Sequence, residues 1–208
     1  MNIPVSKKPR IVIIGGGFAG IALAKKLKNT NYQVVLLDKH NYHTFQPLLY
    51  QVATGGLEAG SIAYPIRKVI QGCDDFYFRL TSVKDIDTEN QKIISEIGDL
   101  HYDYLVIATG SKTNYFGNKE IERNAMSMKT IPQSLNIRSF ILENFEQAVL
   151  TKDEADRNAL MNFVLVGAGP TGVELAGALA EMKSNILPKD YHHNYHLYCS
   201  NKFLLQMD

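Results

Sequence analysis

Apolar positions along residues 10–38 change their period twice. Residues 11–14 form a continuous run of isoleucine and valine, and residues 21–27 place apolar side chains at helical spacing. Residues 34–37 form a second continuous run, which ends at Asp38. Short apolar runs are typical of buried parallel strands, and a helical period between two of them is typical of a βαβ unit. The pattern therefore predicts a strand, a helix and a second strand parallel to the first.

A glycine turn joins the first strand to the helix. Its spacing is G-x-G-x-x-G, formed by Gly15, Gly17 and Gly20. The first glycine permits the tight bend, the second lets the backbone approach a pyrophosphate, and the third lets the helix lie close to the sheet. The helix start offers N–H groups and a partial positive charge to that anion. Asp38 can accept hydrogen bonds from a ribose diol, so we interpret the unit as a dinucleotide site and not as a fortuitous glycine-rich turn.

The same pattern occurs again at residues 163–182. An apolar run leads into a second turn of this spacing, formed by Gly167, Gly169 and Gly172, and a segment rich in small residues follows at helical period. Two such turns predict two dinucleotides, and a flavin adenine dinucleotide in the first with a nicotinamide dinucleotide in the second would make a hydride-transfer enzyme. Glu174, placed in the first helical turn, either complements the helix dipole or acts as a carboxylate that handles a proton or contacts nicotinamide.

Strands are also predicted in the middle of the chain. Residues 76–80 form one, residues 83–87 and 92–97 form a hairpin, and residues 104–107 form a buried parallel strand. That last strand runs into Ala108, Thr109 and Gly110, whose small size would let the chain pass beneath a bound cofactor.

Helices and loops fill the remaining segments. A helix over residues 61–70 is predicted to begin at Ser61, and a longer one over residues 132–149 has Pro132 near its start. Leu135, Ile137, Phe140, Ile141, Phe145 and Val149 are expected to form its apolar face. Other segments are expected to be irregular: residues 39–56 as an extended loop into a short helix, with His40 and His43 solvated, residues 113–129 as a crossover, and residues 151–158 as a charged loop.

The fold class is therefore α/β, a Rossmann-like FAD/NAD(P)-binding fold with two dinucleotide-binding units, of which the second is incomplete. We expect residues 1–112 to form the N-terminal part of an FAD-binding domain. Residues 113–157 are expected to form a crossover and a helix that lead into the second domain. Residues 158–208 are expected to form a partial NAD-binding domain with an atypical tail.

Composition narrows the classes of function. A formal net charge of +1 gives no electrostatic argument for a nucleic-acid partner. Cys73 and Cys199 form no C-x-x-C pair, which excludes a redox dithiol or a cysteine zinc site built from local spacing. No stretch reaches the ~18 apolar residues of a membrane span. Residues 1–10 are polar and contain two prolines, so we expect a short tail and not a signal peptide.

Two motifs resemble type II NADH dehydrogenase, the single-subunit NADH:quinone oxidoreductase among flavoproteins with two dinucleotide-binding domains. They are FQPLLYQVATG at residues 45–55 and GPTGVELAG at residues 169–177, and the resemblance covers about residues 10–191. It implies transfer of hydride from NADH to FAD, and of electrons onward to a membrane quinone in a respiratory chain without proton pumping.

The resemblance also implies site residues. The expected FAD contacts are Gly15, Gly17, Phe18, Ala19, Gly20, Asp38, Lys39, Gln46, Pro47, Val83, Ala108, Thr109 and Gly110. The expected NADH contacts are Gly167, Gly169, Pro170, Thr171 and Gly172, with Glu174 as the catalytic residue. In the family the protein lies on the inner face of the cell membrane, and a homodimer is one expected assembly. No metal is expected.

The sequence departs from this family after Tyr191. A complete nicotinamide domain would have a strand ending in an acid there, whereas residues 192–208 are rich in histidine and tyrosine. We expect a truncated or frameshifted product that lacks the membrane anchor and is soluble or prone to aggregation, because it exposes a sheet edge and apolar surface. His192, His193 and His196 are expected to belong to an unrelated tail and not to a metal site.

Two alternative functions stay open. One is another pyridine-nucleotide-dependent flavin reductase of the same fold, such as a ferredoxin or rubredoxin reductase. The other is a non-catalytic remnant that binds a nucleotide without turnover. The absence of a cysteine pair argues against the disulfide reductases and sulfide:quinone reductases of this fold.

Overall fold

The computed structural model describes residues 1–191 and the backbone of residues 204–206. Residues Met1–Thr44 and Ala63–Lys112 form one compact unit, unit 1, and Phe45–Ile62 and Thr113–Asp208 form a second, unit 2. In chain order the elements are β1 Arg10–Ile14, α1 Phe18–Lys26, β2 Gln33–Asp38, β3 Tyr42–Thr44, α2 Leu49–Ala53, β4 Ala63–Pro65, α3 Ile66–Val69, β5 Phe76–Leu80, β6 Val83–Asp87, β7 Lys92–Ser95, β8 Leu100–His101, β9 Tyr104–Ile107, α4 Lys119–Asn124, α5 Ile131–Leu150, α6 Glu154–Leu160, β10 Val164–Val166, α7 Pro170–Glu181, α8 Leu187–Asp190 and β11 Leu204–Gln206.

A parallel sheet of order β5-β2-β1-β9 forms the centre of unit 1. The predicted strands at residues 11–14, 34–37 and 76–80 are confirmed, and Val12, Ile13 and Leu36 are fully buried. β9 forms where a strand was predicted, but the expectation that it is buried is wrong. It lies at an edge of this sheet, and Ile107 is 64% exposed. All four strands run the same way, so their carboxyl ends meet at one edge of the sheet.

The helix predicted over residues 61–70 is confirmed in its second half, and its start at Ser61 is wrong. Residues 63–65 form β4, which pairs antiparallel with β3, and the helix α3 begins only at Ile66. The reason is Pro65, because the ring of a proline disfavours helical backbone in the residue before it and so keeps Tyr64 extended.

A second sheet of unit 1 has the order β6-β7-β8. It contains the predicted hairpin, and β8 adds a third, unpredicted strand. The residues expected to form a short tail are held against the fold. Met1 and Ile3 pack on an apolar cluster of unit 1, and the Met1 ammonium donates a hydrogen bond to the carbonyl oxygen of Asp99.

The long helix α5 organises unit 2. Thr130 and Gln133 form a capping box at its start, so two N–H groups that would otherwise lack partners are paired. Ile137, Ile141 and Phe145 are buried in the apolar core of the unit. Two residues expected on this face lie outside it, since Leu135 is 37% and Phe140 is 46% exposed.

Two short helices occupy segments that were expected to be irregular. Asn118, in the segment expected to be an irregular crossover, caps α4 by accepting hydrogen bonds from the Glu120 and Ile121 N–H groups. Asp153 caps α6 by accepting one from the Asp156 N–H. The prediction of a charged loop at residues 151–158 is therefore wrong, because the charged side chains there include the cap that starts a helix.

The β10-α7 pair of unit 2 is confirmed, and β11 pairs parallel with β10. A strand therefore forms within the segment that was expected to be an atypical tail, and it ends at Gln206 and not at an acid. A single π-helical turn, Met182–Ile186, joins α7 to α8. Pro188 follows this turn, and because proline has no N–H it cannot donate an α-helical hydrogen bond to the carbonyl of Ser184. The predictions about His192, His193 and His196 lie outside the described residues.

Candidate dinucleotide-binding sites

The first glycine turn begins directly after β1. Gly15 has a φ of +108°, which favours glycine, and an ideal Cβ there would lie 2.3 Å from the carbonyl oxygen of Ala108. An ideal Cβ on Gly20 would lie 1.8 Å from the carbonyl oxygen of Gly15. These two glycines are therefore required by the fold of the turn itself.

Gly17 differs from both of its partners in the motif. It is exposed, its φ is −74°, and the nearest atom to an ideal Cβ, the Ala108 carbonyl oxygen, would be 4.0 Å away. The protein therefore leaves open the space that a side chain would take. A phosphate group can approach the backbone closely at such a position, and the turn fits a dinucleotide.

The two helices that follow the glycine turns differ from the other helices in how their N-termini are capped. Among the described helices of six or more residues, α4, α5 and α6 have a side-chain cap, whereas α1 and α7 have none. The uncapped pair are the helices that follow Gly17 and Gly169. The N–H groups at their starts therefore have no side-chain acceptor from the cap and can bind an anion.

Asp38 lies at the carboxyl end of β2 and faces the turn. Its Oδ2 accepts a hydrogen bond from the Gly16 N–H, and its Oδ1 accepts one of 2.7 Å from the His40 N–H. A carboxylate has about four acceptor positions, so these two bonds leave others for a ribose hydroxyl. Asp38 therefore fixes the turn in addition to any contact with a ligand.

Gly16 was missed by the sequence analysis. An ideal Cβ there would lie 2.5 Å from Cδ1 of Ile66, and its N–H is the donor to Asp38. Its carbonyl oxygen accepts a 3.0 Å hydrogen bond from His43 Nδ1. Sequence spacing gives no sign of these contacts, because Ile66 and His43 come from segments remote in the chain.

His43 is not the solvated loop residue that was expected. It lies in β3, is half-buried, and packs its ring edge-to-face on Phe18, with centroids 5.0 Å apart. The expectation for His43 is therefore wrong. His40 is half-buried and stacks at a tilt on Tyr42, at a centroid distance of 5.4 Å.

The other predicted FAD residues are divided between the two units. Phe18 and Ala19 are exposed at the start of α1, Lys39 is exposed after Asp38, and Val83 is half-buried at the start of β6. Ala108 lies beside Gly15, as above. Thr109 and Gly110 follow it and are exposed, and Gly110 has a φ of +71°. Gln46 and Pro47, by contrast, lie in unit 2, exposed in a short 3-10 helix, Gln46–Leu48.

The second glycine turn repeats the geometry of the first within unit 2. Gly167 has a φ of +106°, and an ideal Cβ on Gly172 would lie 2.0 Å from the carbonyl oxygen of Gly167. Gly169 is exposed and has a φ of −67°, and no atom of the described residues outside its chain neighbours lies within 4 Å of an ideal Cβ. Pro170 and Thr171 are exposed in the first turn of α7. The second turn therefore has the same open position at its middle glycine as the first.

Glu174 is exposed and is the fifth residue of α7, which begins at Pro170. The first turn of this helix contains no acidic residue. The prediction that Glu174 lies in the first turn was therefore wrong. The helix-dipole role is less well supported, because the interaction of a charge with the helix dipole falls off within the first turn. The carboxylate is left accessible one turn beyond the glycine turn.

Other kinds of site find little support in the described residues. Cys73 is a free, half-buried thiol, and Cys199 lies outside the described residues. Within the described range, no three metal-ligating side chains come together. None of the helices in that range has the length and hydrophobicity that a membrane span requires.

Known proteins resemble this chain over nearly all of its length. It is 42% identical to a type II NADH:quinone oxidoreductase of Mycobacterium tuberculosis over 191 residues, which are 90% of this chain and 41% of that protein. It is 35% identical to a mitochondrial external alternative NAD(P)H-ubiquinone oxidoreductase of Arabidopsis thaliana over 199 residues, 89% of this chain and 34% of that protein.

A solved structure shows the same fold. The NDH2 protein of Plasmodium falciparum in complex with NADH is 26% identical and superposes with a TM-score of 0.84, over 96% of this chain and 41% of that one. The chain thus spans 34–41% of the length of these relatives. The predicted α/β Rossmann-like fold and the resemblance to type II NADH dehydrogenase are both confirmed.

A family model agrees with these comparisons. The model described as pyridine nucleotide-disulphide oxidoreductase matches residues 9–202, more than half of the chain. The chain belongs to the pyridine nucleotide-disulphide oxidoreductase family.

Proposed function

We propose that the protein is an FAD-dependent oxidoreductase that takes hydride from NADH and passes electrons to a quinone. The observation that carries this proposal is the repeated geometry of the two glycine turns. Each has an open middle glycine, Gly17 or Gly169, and each is followed by a helix without a side-chain cap. Two such turns provide one place for each of two dinucleotides.

FAD is assigned to the turn of unit 1. Gly15 and Gly20 shape the turn, Gly17 admits the pyrophosphate, and Asp38 holds the Gly16 N–H while it keeps acceptor capacity for ribose. Lys39, Phe18, Ala19, Val83, Ala108, Thr109 and Gly110 complete the proposed set within unit 1. When bound, FAD supplies an acceptor for the hydride of NADH.

NADH is assigned to the turn of unit 2. Gly167 and Gly172 shape this turn, and Gly169, Pro170 and Thr171 offer the exposed start of α7 to the pyrophosphate. Glu174 is the proposed catalytic residue. Its exposed carboxylate, one helical turn further on, is free to contact the nicotinamide or to handle a proton.

The electron acceptor is inferred from the relatives. Those of Mycobacterium tuberculosis and Arabidopsis thaliana are named as quinone and ubiquinone oxidoreductases. From these names we extend a quinone acceptor to this protein. A place on the inner face of the cell membrane and assembly as a homodimer are proposed from the family resemblance alone.

The test is a reconstitution of the purified chain with FAD, followed by anaerobic addition of NADH and then of a short-chain quinone. We expect the absorption bands of an oxidised bound flavin, bleaching on addition of NADH, and recovery of the bands on addition of quinone. A colourless protein that gains no flavin would overturn the FAD assignment. Bands that do not bleach with NADH would support a remnant that binds nucleotide without turnover. Bleaching without recovery would overturn the quinone assignment.

A further inference from the structure

Gly16 is held by side chains on both of its polar groups. Its N–H donates to Asp38 Oδ2, and its carbonyl oxygen accepts a 3.0 Å hydrogen bond from His43 Nδ1. A carbonyl oxygen can only accept, so Nδ1 of His43 carries the proton. Both partners come from unit 1, one from the end of β2 and the other from β3.

The bond to the Gly16 carbonyl acts on the next residue. This carbonyl and the Gly17 N–H belong to one planar peptide group, and none of the described peptide bonds is cis. In a trans peptide the two groups point in opposite directions. His43 therefore turns the Gly17 N–H away from itself, and Gly17 is exposed with open space beside it. A hydrogen bond to the carbonyl also polarises the peptide and strengthens its N–H as a donor.

Two features fix the imidazole in this position. The ring packs edge-to-face on Phe18, the first residue of α1, at a centroid distance of 5.0 Å and an interplanar angle of 86°. The backbone of His43 is held by the pairing of β3 with β4, in which His43 lies opposite Tyr64. The histidine thus joins the β3–β4 ribbon to both the turn and the helix that follows it.

We propose that His43 is a positioning residue of the first dinucleotide site, which aims the Gly17 N–H at the pyrophosphate by holding the Gly16 carbonyl. The inference rests on the proposed function, because it requires a dinucleotide at this turn. His43 is not expected to touch the ligand. Its effect should therefore be seen only with ligands that carry the pyrophosphate.

The test compares two substitutions in the full chain. His43→Asn places an amide N–H close to the position of Nδ1 and keeps the donor, whereas His43→Phe keeps the ring against Phe18 and has no donor. ADP and adenosine are the probes, measured by calorimetry or by displacement of FAD. We expect His43→Phe to weaken ADP binding by roughly 3- to 10-fold, the worth of one hydrogen bond, and to leave adenosine binding unchanged. His43→Asn should bind ADP nearly as the wild type does.

The outcomes distinguish a failure of the proposed function from a failure of the role of His43. Wild-type protein that binds neither ADP nor FAD would overturn the proposed function. Wild-type binding with unchanged ADP affinity in His43→Phe would overturn the role of His43 alone. Equal loss of ADP and adenosine would also overturn it, since it would show general collapse of the turn. Should His43→Phe not fold, a ¹⁵N correlation spectrum of the wild type decides, and a His43 ring without a proton on Nδ1 contradicts the inference.

Discussion

An ideal Cβ atom on Gly20 would lie 1.8 Å from the carbonyl oxygen of Gly15, and the equivalent atom on Gly172 would lie 2.0 Å from that of Gly167. Both contacts are with backbone atoms, so no side-chain rotation can relieve them. The third glycine of each turn is therefore needed for the helix to start where it does. The middle glycine has open space beside it, and we propose that the ligand requires it instead.

Gly20→Ala should destabilise unit 1. The turn must shift to admit the methyl group, and overpacking of this kind costs about 1–3 kcal/mol in the free energy of unfolding. Chemical denaturation followed by circular dichroism measures the change. Gly177→Ala is the matched control, because Gly177 is exposed in α7 and, beyond its own helix backbone, no atom of the described part of the chain lies within 4 Å of an ideal Cβ. That variant should be more stable than the wild type by about 0.5–1 kcal/mol. Equal stability of the two variants would contradict the steric argument.

The middle glycines should separate ligand binding from folding. Gly17 and Gly169 have φ values of −74° and −67°, which alanine adopts without strain. We expect Gly17→Ala and Gly169→Ala to change the free energy of unfolding by less than about 0.5 kcal/mol. The added methyl takes the place of a phosphate, so each variant should lose about tenfold or more in affinity for one dinucleotide.

The two variants also control for each other. Gly17→Ala should weaken FAD and spare NADH, and Gly169→Ala should do the reverse, as measured by separate titrations of the two ligands. Loss of both ligands in either variant would show that the two turns are not independent sites.

Asp38→Asn should weaken both the turn and the site. The carboxylate accepts from two backbone N–H groups, those of Gly16 and His40, and an amide side chain offers only one oxygen. One N–H is then left without its partner, which costs about 1–3 kcal/mol in the free energy of unfolding. Denaturation and FAD titration measure the two effects. Asp74→Asn, at an exposed side chain, is the control, and equal stability of the two variants would count against the geometry.

Local patterns predicted the elements whose determinants lie within a few residues. The strand, turn and helix around Gly15 to Gly20 follow from an apolar run and glycine spacing, and both occur within one short segment. Two of the errors in secondary structure arose where one residue outweighed the pattern. Pro65 kept Tyr64 extended and split the predicted helix, and the Asp153 side chain began a helix in a segment that looked like a charged loop.

The sequence predicted the glycines of the first site but not the contacts that Gly16 makes with residues remote in the chain. The hydrogen bond between His43 and Gly16 joins residues 27 apart in the chain. The side chain that would clash with a Cβ at position 16 belongs to Ile66, which lies 50 residues after Gly16. Neither relationship has a local spacing that could indicate it. Both arise only when β3 and α3 are placed beside the turn by the fold of unit 1.

Glu174→Gln tests whether the carboxylate of Glu174 is catalytic or only interacts with the helix dipole. Glu174 is exposed and lies beyond the first turn of α7, so its loss should change the free energy of unfolding by less than about 0.5 kcal/mol. If the carboxylate handles a proton, the rate of flavin reduction by NADH should fall by about 10²-fold or more. Stopped-flow absorbance of the reconstituted chain measures this rate. Glu181→Gln is the matched control, since Glu181 is exposed on the same helix two turns further on and should leave the rate unchanged. If Glu174→Gln reduces flavin as fast as the wild type, the carboxylate has no part in the mechanism. If the variant is slow only because it is less stable, Glu174 acts through the helix dipole.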